Sequence, residues 1–218
     1  MTVDDRPDAA AETVQVEREG LAIAAERQTL FSDAVIAIAI TLLALELPVP
    51  EGSTNAELLR SAVADRGEYL AFLISFVVIW AHWSAHHRTF RYVTGFDRTL
   101  GTLNGVWLLT QVITPFATKV ISGEGAFQAR FGFYAAVQAA SDILFALMVV
   151  YIRRRAGLYR PGTPLPVLGE IQIRSWSLAA GFLVSIPLSL LTEYSWVCWI
   201  LVPMFGQRIA GLLRRRRS

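Results

Sequence analysis

Six stretches of the chain, at about 28–47, 69–90, 98–118, 127–152, 173–192 and 195–213, are apolar over nearly the thickness of a bilayer. A hydrocarbon core of about 30 Å is crossed by roughly 20 mostly apolar helical residues, each rising about 1.5 Å. The 218 residues are 54% hydrophobic with a mean hydropathy of +0.43, too apolar for an ordinary soluble domain. The fold class expected is therefore all-α, a polytopic membrane protein with six transmembrane helices. The last two stretches are separated by little more than Glu193 and Tyr194, which predicts a tight helical hairpin.

Charge sets the expected orientation. With the N-terminus inside, the inner segments hold sixteen of the twenty basic residues, leaving only Arg60, Arg66, Lys119 and Arg130 outside. The positive-inside bias then places both termini in the cytosol. Nineteen of the twenty are arginine, the bias of a GC-rich bacterial genome, so a bacterial plasma membrane is the expected location. Residues 1–26 are rich in Ala, Glu and Asp without the apolar core of a signal peptide, and are expected to be a disordered cytosolic tail. Residues 27–213 form the six-helix domain and 214–218 a basic cytosolic tail. The runs "RRR" at 153–155 and "RRRR" at 214–217 follow hydrophobic spans directly, as anchors to anionic lipid headgroups rather than contacts to nucleic acid. Cys198 is the single cysteine, so no intrachain disulfide is available. "STNAELL" after the first span reads as a short surface helix, and the Pro/Gly-rich 153–172 as a loop and hinge. Pro115 and Pro187 fall inside spans as possible kinks.

Ionisable groups inside a membrane are costly and mark function or internal pairing. Asp33 lies about 7 Å inside the first span, His86 and His82 about 6 and 12 Å inside the second, and Asn104 about 9 Å inside the third. With Ser32 they share a layer near the cytosolic side, and a polar network there would tie the first helix to its own subunit through Asp33. His82 and His86, at i and i+4, share a helix face. They suit a metal pair, a proton relay or a structural network, but no third ligand completes a metal site. Asp142 sits deeper in the fourth span, facing a cavity or bonding Ser141, Gln138 or another helix. At 100° per residue, Ile38, Thr41, Leu42 and Leu45 fall on one face of the first helix, with Phe31 near it. Ile36, Ile40, Leu43 and Leu47 gather opposite, and Asp33 lies away from the Ile38 stripe. Both faces are apolar, so periodicity does not say which meets lipid, protein or a pore.

The chain has no phosphate-binding loop, no GxSxG elbow and no Gly-rich nucleotide turn, so it is not expected to be an enzyme or to carry a cofactor. It also lacks the TVGYG filter. A proton-coupled transporter using Asp33, His82, His86 and Asp142 is one alternative and a non-transporting membrane scaffold another. The first helix has no Gly or Pro between Gln28 and Leu47, unlike the broken helices of many transporters.

The string Arg27-x-x-x-Phe31-Ser32-Asp33, running into "AVIAIAITLLALEL", resembles the first-helix signature of the transmembrane protein 175 family of potassium channels. Trp80 and His82 to His87 at the end of the second span, and Asn104 with Pro115 in the third, extend the resemblance. It implies the prokaryotic form, a homotetramer of single six-helix units whose first helices line the ion path. It also implies a hydrophobic constriction at Ile38, Leu42 and Leu45, with the Thr41 hydroxyl near the ion. Arg27, Phe31, Ser32, Asp33, Trp80, His82, His86 and Asn104 become signature and polar-network residues. Arg27 sits near the interface and is expected to pair with a carboxylate or helix end. The implied partners are potassium ions, copies of the same chain and membrane lipids.

Overall fold

The computed structural model describes residues 6–215, and they form seven α-helices: α1 (Arg6–Leu45), α2 (Asn55–Ala64), α3 (Arg66–Phe90), α4 (Arg98–Ser122), α5 (Phe127–Arg153), α6 (Leu165–Leu188) and α7 (Cys198–Arg215). Two 3₁₀ turns, Ala156–Leu158 and Glu193–Val197, complete the regular structure. The only β pairing among the described residues is a single antiparallel bridge, Val93 to Tyr159. The protein is all-α, and four of its helices contain segments long and apolar enough to cross a membrane: Glu19–Leu45, Arg66–Phe90, Phe127–Arg153 and Leu165–Leu188. The six apolar stretches fall in the six long helices. Two of these, α4 and α7, are not in that set of four. In α4 the reason is the number of threonine, asparagine and glutamine side chains on its buried face, which lowers its apolarity although it sits at the centre of the bundle.

Three boundaries differ from expectation. Residues 6–26, read as a disordered tail, continue α1 as helix, and residues 1–5 lie outside the described residues. Alanine, glutamate and arginine are strong helix formers, and the only glycine there is Gly20. The expected loop 153–172 ends at Pro164, because α6 begins at Leu165 with Pro166 in its first turn, where a missing N–H costs nothing. The remainder is not a free hinge. Thr94 N–H donates to the Leu158 carbonyl at 3.0 Å and Arg160 N–H to the Tyr92 carbonyl at 2.9 Å, pinning it to the α3–α4 turn. Of the basic run at 214–217, Arg216 and Arg217 lie outside the described residues.

Helix α4 packs against α1, α3 and α5, and α6 joins α5 to α7. One core cluster gathers Ile36, Ile79, Trp107, Phe145 and Ile152 among α1, α3, α4 and α5. A second, at the other end, stacks Phe131 on Trp199 with ring centroids 5.1 Å apart, beside Tyr134 and Phe182. The surface helix expected at "STNAELL" is α2. A reciprocal cap starts it, with Thr54 accepting from the Glu57 N–H and the Glu57 carboxylate accepting from the Thr54 N–H.

Asp97 holds α4 to α5. It caps α4 by accepting the Leu100 N–H at 2.8 Å, and it accepts the Tyr151 hydroxyl at 2.6 Å with Arg155 3.8 Å away. Burial raises its carboxyl, but the Tyr151 and Leu100 hydrogen bonds and Arg155 outweigh that and hold it below its ordinary value. A carboxyl lowered by folding stabilises the fold above its unfolded pKa, about 3.9, and loses that contribution as pH falls through the folded value. Asp97→Asn should therefore lower thermal stability in detergent at pH 7 by about 1 kcal/mol. The gap to the native protein should begin to narrow at about pH 4 and close at lower pH still, below the folded value. A gap independent of pH would remove the charge from this role.

Candidate functional site

The two apolar faces of α1 have different neighbours. Ser32, Ile36, Ala39 and Leu43 are buried against the bundle. Ile38, Leu42 and Leu45 are 58%, 43% and 80% exposed, Phe31 is exposed with them, and so is Thr41. The Thr41 hydroxyl donates to the Ile38 carbonyl at 2.8 Å, which leaves its oxygen lone pairs facing outward. Further apolar side chains are exposed on the two helices that α1 packs against, Leu73 and Val77 on α3 and Val106, Leu109 and Phe116 on α4.

Behind α1 the polar residues form two linked sets and one separate contact. In the first set, the Asn104 amide donates to Ser32 Oγ at 2.9 Å, and the Asn104 carbonyl oxygen lies 3.0 Å from His86 Nε2. Ser32 Oγ also donates to the Gln28 carbonyl at 2.8 Å. All three side chains are buried, and His86 is sandwiched between Phe90 and Trp107 at 4.0 and 4.8 Å. The second set lies deeper. His82 Nδ1 is 3.2 Å from Gln111 Oε1, and its Nε2 is 3.3 Å from Asp142 Oδ1. The Gln111 amide donates to Ser141 Oγ at 2.6 Å. Asp33 belongs to neither set: its Oδ1 accepts the Trp83 indole N–H at 2.9 Å. Asp33 thus does tie α1 to its own chain, through a residue that sequence reasoning did not single out.

Several sequence expectations change here. His82 and His86 share a helix but not a network, because His86 meets Asn104 while His82 reaches one layer further to Gln111 and Asp142. Of the alternatives open to Asp142, the structure takes the contact with another helix: its partner is His82 on α3. The four groups Asp33, His82, His86 and Asp142 do not form a continuous relay. An indole N–H only donates, and an asparagine amide does not hand a proton on. Arg27 is exposed and makes no ion pair among the described residues. The residues three and four positions away, Ile23, Ala24, Leu30 and Phe31, include no carboxylate to meet it. Trp80 is half exposed and packs on Trp83, with ring centroids 4.8 Å apart. Among the described residues no cluster of His, Cys, Asp and Glu could hold a metal. The missed members of the network, Gln111, Thr114 and Thr118, did leave a signal. With Asn104 they recur at helical spacing, a polar face on an otherwise apolar helix.

Proton counting fixes one feature of the His82–Asp142 pair. With Gln111 Oε1 as its partner, His82 Nδ1 is the donor of that hydrogen bond, and Ser141 Oγ stands 3.4 Å from the same nitrogen. The Nε2–Oδ1 contact then needs one further proton, on the imidazole or on the carboxyl. Asp142→Asn supplies that hydrogen bond from its own amide, so its stability should stay within about 1 kcal/mol of the native protein. Asp142→Leu leaves His82 Nε2 unpaired and should cost about 1–3 kcal/mol. Asn104→Leu leaves the buried His86 without its side-chain partner, removes one of the two hydrogen bonds of Ser32, and should cost about as much. Thermal unfolding in detergent measures all three. Equal losses for the two Asp142 variants would mean that the contact is not a hydrogen bond of this kind.

The family model described as "Endosomal/lysosomal potassium channel TMEM175" matches residues 27–115, which hold α1 from Arg27 onward, α2, α3 and α4 as far as Pro115. A protein from Streptomyces collinus named as a potassium channel is 31% identical over 175 residues, covering 75% of this chain and 85% of its own length. A potassium channel from Chamaesiphon minutus is 40% identical over 94 residues, covering 42% of this chain and 46% of its own. The crystal structure described as a lysosomal potassium-selective channel TMEM175 homolog from Chamaesiphon minutus superposes with a TM-score of 0.71 at 29% identity, over 85% of this chain and 97% of that one. The all-α bundle, the first-helix signature and a relative matched over most of its length agree, and the chain belongs to the TMEM175 family.

Proposed function

We propose that the protein is a potassium-preferring cation channel, conducting passively through a homotetrameric pore lined by the exposed face of α1. The observation that carries this reading is that Ile38, Thr41, Leu42 and Leu45 project from the bundle while the opposite face of the same helix is packed. A single helix face encloses nothing. Copies arranged about a rotation axis bring identical faces together, and closed cyclic symmetry is the usual solution for homo-oligomers. Four copies, the number implied by the family resemblance, stack Ile38, Leu42 and Leu45 into successive apolar rings. Such rings form a constriction that an ion passes only with part of its hydration shell, or that closes by dewetting. Thr41 supplies the oxygen near the ion that the aliphatic rings lack. The exposed apolar side chains of α3 and α4 are the surfaces on which neighbouring copies would pack.

In this reading residues 27–213 are the membrane domain, with six spans and both termini in the cytosol. The arginines at the ends of α3, α5 and α7 and at the start of α4 then meet the inner leaflet. The Ser32–Asn104–His86 set and the Asp33–Trp83 bond are the supports that keep α1 in one orientation, and the His82–Asp142 pair holds α3 to α5 behind it. A channel needs that rigidity, because a rotation of α1 by one residue would move Ile38 out of the ring.

Flux from liposomes containing the purified protein tests the proposal, with the native chain beside Ile38→Asn and Leu42→Asn under a potassium and then a sodium gradient. The native protein should pass potassium faster than sodium without saturating. Each variant should change the rate or the potassium-to-sodium ratio by about tenfold, since 1.4 kcal/mol at a dewetting barrier is a factor of ten. No flux under either gradient, unchanged by both substitutions, would return the stripe to ordinary packing.

A further inference from the structure

On the outside of the bundle, between α3 and α6, lies a groove of about 510 Å³ lined by Trp80, Trp83, Ser84, His87, Arg88 and Arg174. Its wall is basic and aromatic, with no carboxylate. Arg88 Nε donates to the Ser84 carbonyl at 3.1 Å, which uses one of its five N–H donors. Arg174 is exposed and makes no ion pair among the described residues. The indole N–H of Trp83 is already committed to Asp33, so Trp83 offers the groove only its ring. His87 stacks on that ring at 5.5 Å. Trp80 is half exposed and extends the aromatic wall toward the middle of α3. The groove therefore carries one guanidinium near the end of α3, Arg88, a second from α6, Arg174, and an aromatic wall running about two turns along α3 from His87 to Trp80.

That combination matches a phospholipid lying along the protein. Guanidinium groups grip phosphate oxygens in a bidentate fork, tryptophan rings sit at headgroup depth, and basic pockets between membrane helices hold anionic headgroups. We propose that this groove is a binding site for an anionic phospholipid, its phosphodiester held by Arg88 and Arg174 and an acyl chain lying against Trp80. The site is built from side chains of α3 and α6 and does not depend on what α1 conducts. It rests only on the chain being embedded in a membrane.

Native mass spectrometry of the protein, released from vesicles of equimolar phosphatidylcholine and phosphatidylglycerol, reads the retained lipid directly. The native protein should keep phosphatidylglycerol in preference. Arg88→Gln/Arg174→Gln should lower that retention by about tenfold or more. Arg91→Gln/Arg160→Gln, at the same end of the molecule but outside the groove, should leave it unchanged. Ser84→Trp, which fills the groove while keeping both arginines, should also expel the lipid, so the test survives if the double arginine variant fails to fold. Equal retention in the native, double arginine and Ser84→Trp proteins would overturn the proposal. Displacement by soluble glycerol phosphate would overturn it in favour of a free phosphate site. Loss of oligomer with unchanged lipid in the double arginine variant would overturn it in favour of a contact with a second copy. Potassium flux from the same preparations separates this result from failure of the channel reading.

Discussion

Every polar group inside a bilayer must find its partner within the protein, because hydrocarbon offers none. The face of α4 is where this chain meets that constraint. Asn104, Gln111, Thr114 and Thr118 are all buried. They meet Ser32 on α1, His86 and His82 on α3, Ser141 and Gln138 on α5, and Ser75 on α3. Each bond is modest in net terms, about 0.6 kcal/mol on average between membrane helices. Its loss is expensive because the abandoned partner stays buried. The network thus acts less as glue than as a device for orientation, since few rotations of α1, α3 and α5 about α4 satisfy all these groups at once.

The orientation matters most for α1, which is apolar on both faces. Hydrophobic burial alone would tolerate either face against the bundle. Ser32 breaks the tie. It must reach Asn104, and that turns Ile36, Ala39 and Leu43 inward and leaves Ile38, Thr41, Leu42 and Leu45 outside. The Asp33–Trp83 bond repeats the restraint against α3. The signature string at the start of α1 is therefore best understood as a rotational lock, with the proposed ion-lining residues placed one to three turns beyond it.

At the basic end of the bundle the same economy appears in loops. Asp97 caps α4, accepts from Tyr151 on α5 and draws in Arg155, while the 156–160 segment bonds back to the α3–α4 turn. The segment looks like a flexible hinge when judged by its proline and glycine content. Composition alone does not reveal backbone hydrogen bonds to a turn some 65 residues earlier in the chain, and those bonds hold it.

The sequence by itself determined that the chain is helical, that six apolar stretches dominate it, and that residues 27–47 carry the family signature. These are properties of local composition and spacing, which act within a few turns of helix. It also placed Ser32, His86 and Asn104 at a common depth, because depth follows from counting residues along spans of known rise. Only the tertiary structure decided which face of α1 is packed, that His82 pairs with Asp142 rather than joining His86, that Trp83 is the partner of Asp33, and that Arg27 meets no carboxylate among the described residues. Those outcomes depend on the rotation of each helix about its axis. Rotation is set by long-range side-chain hydrogen bonds between helices, for which a single sequence supplies the groups but not the pairing.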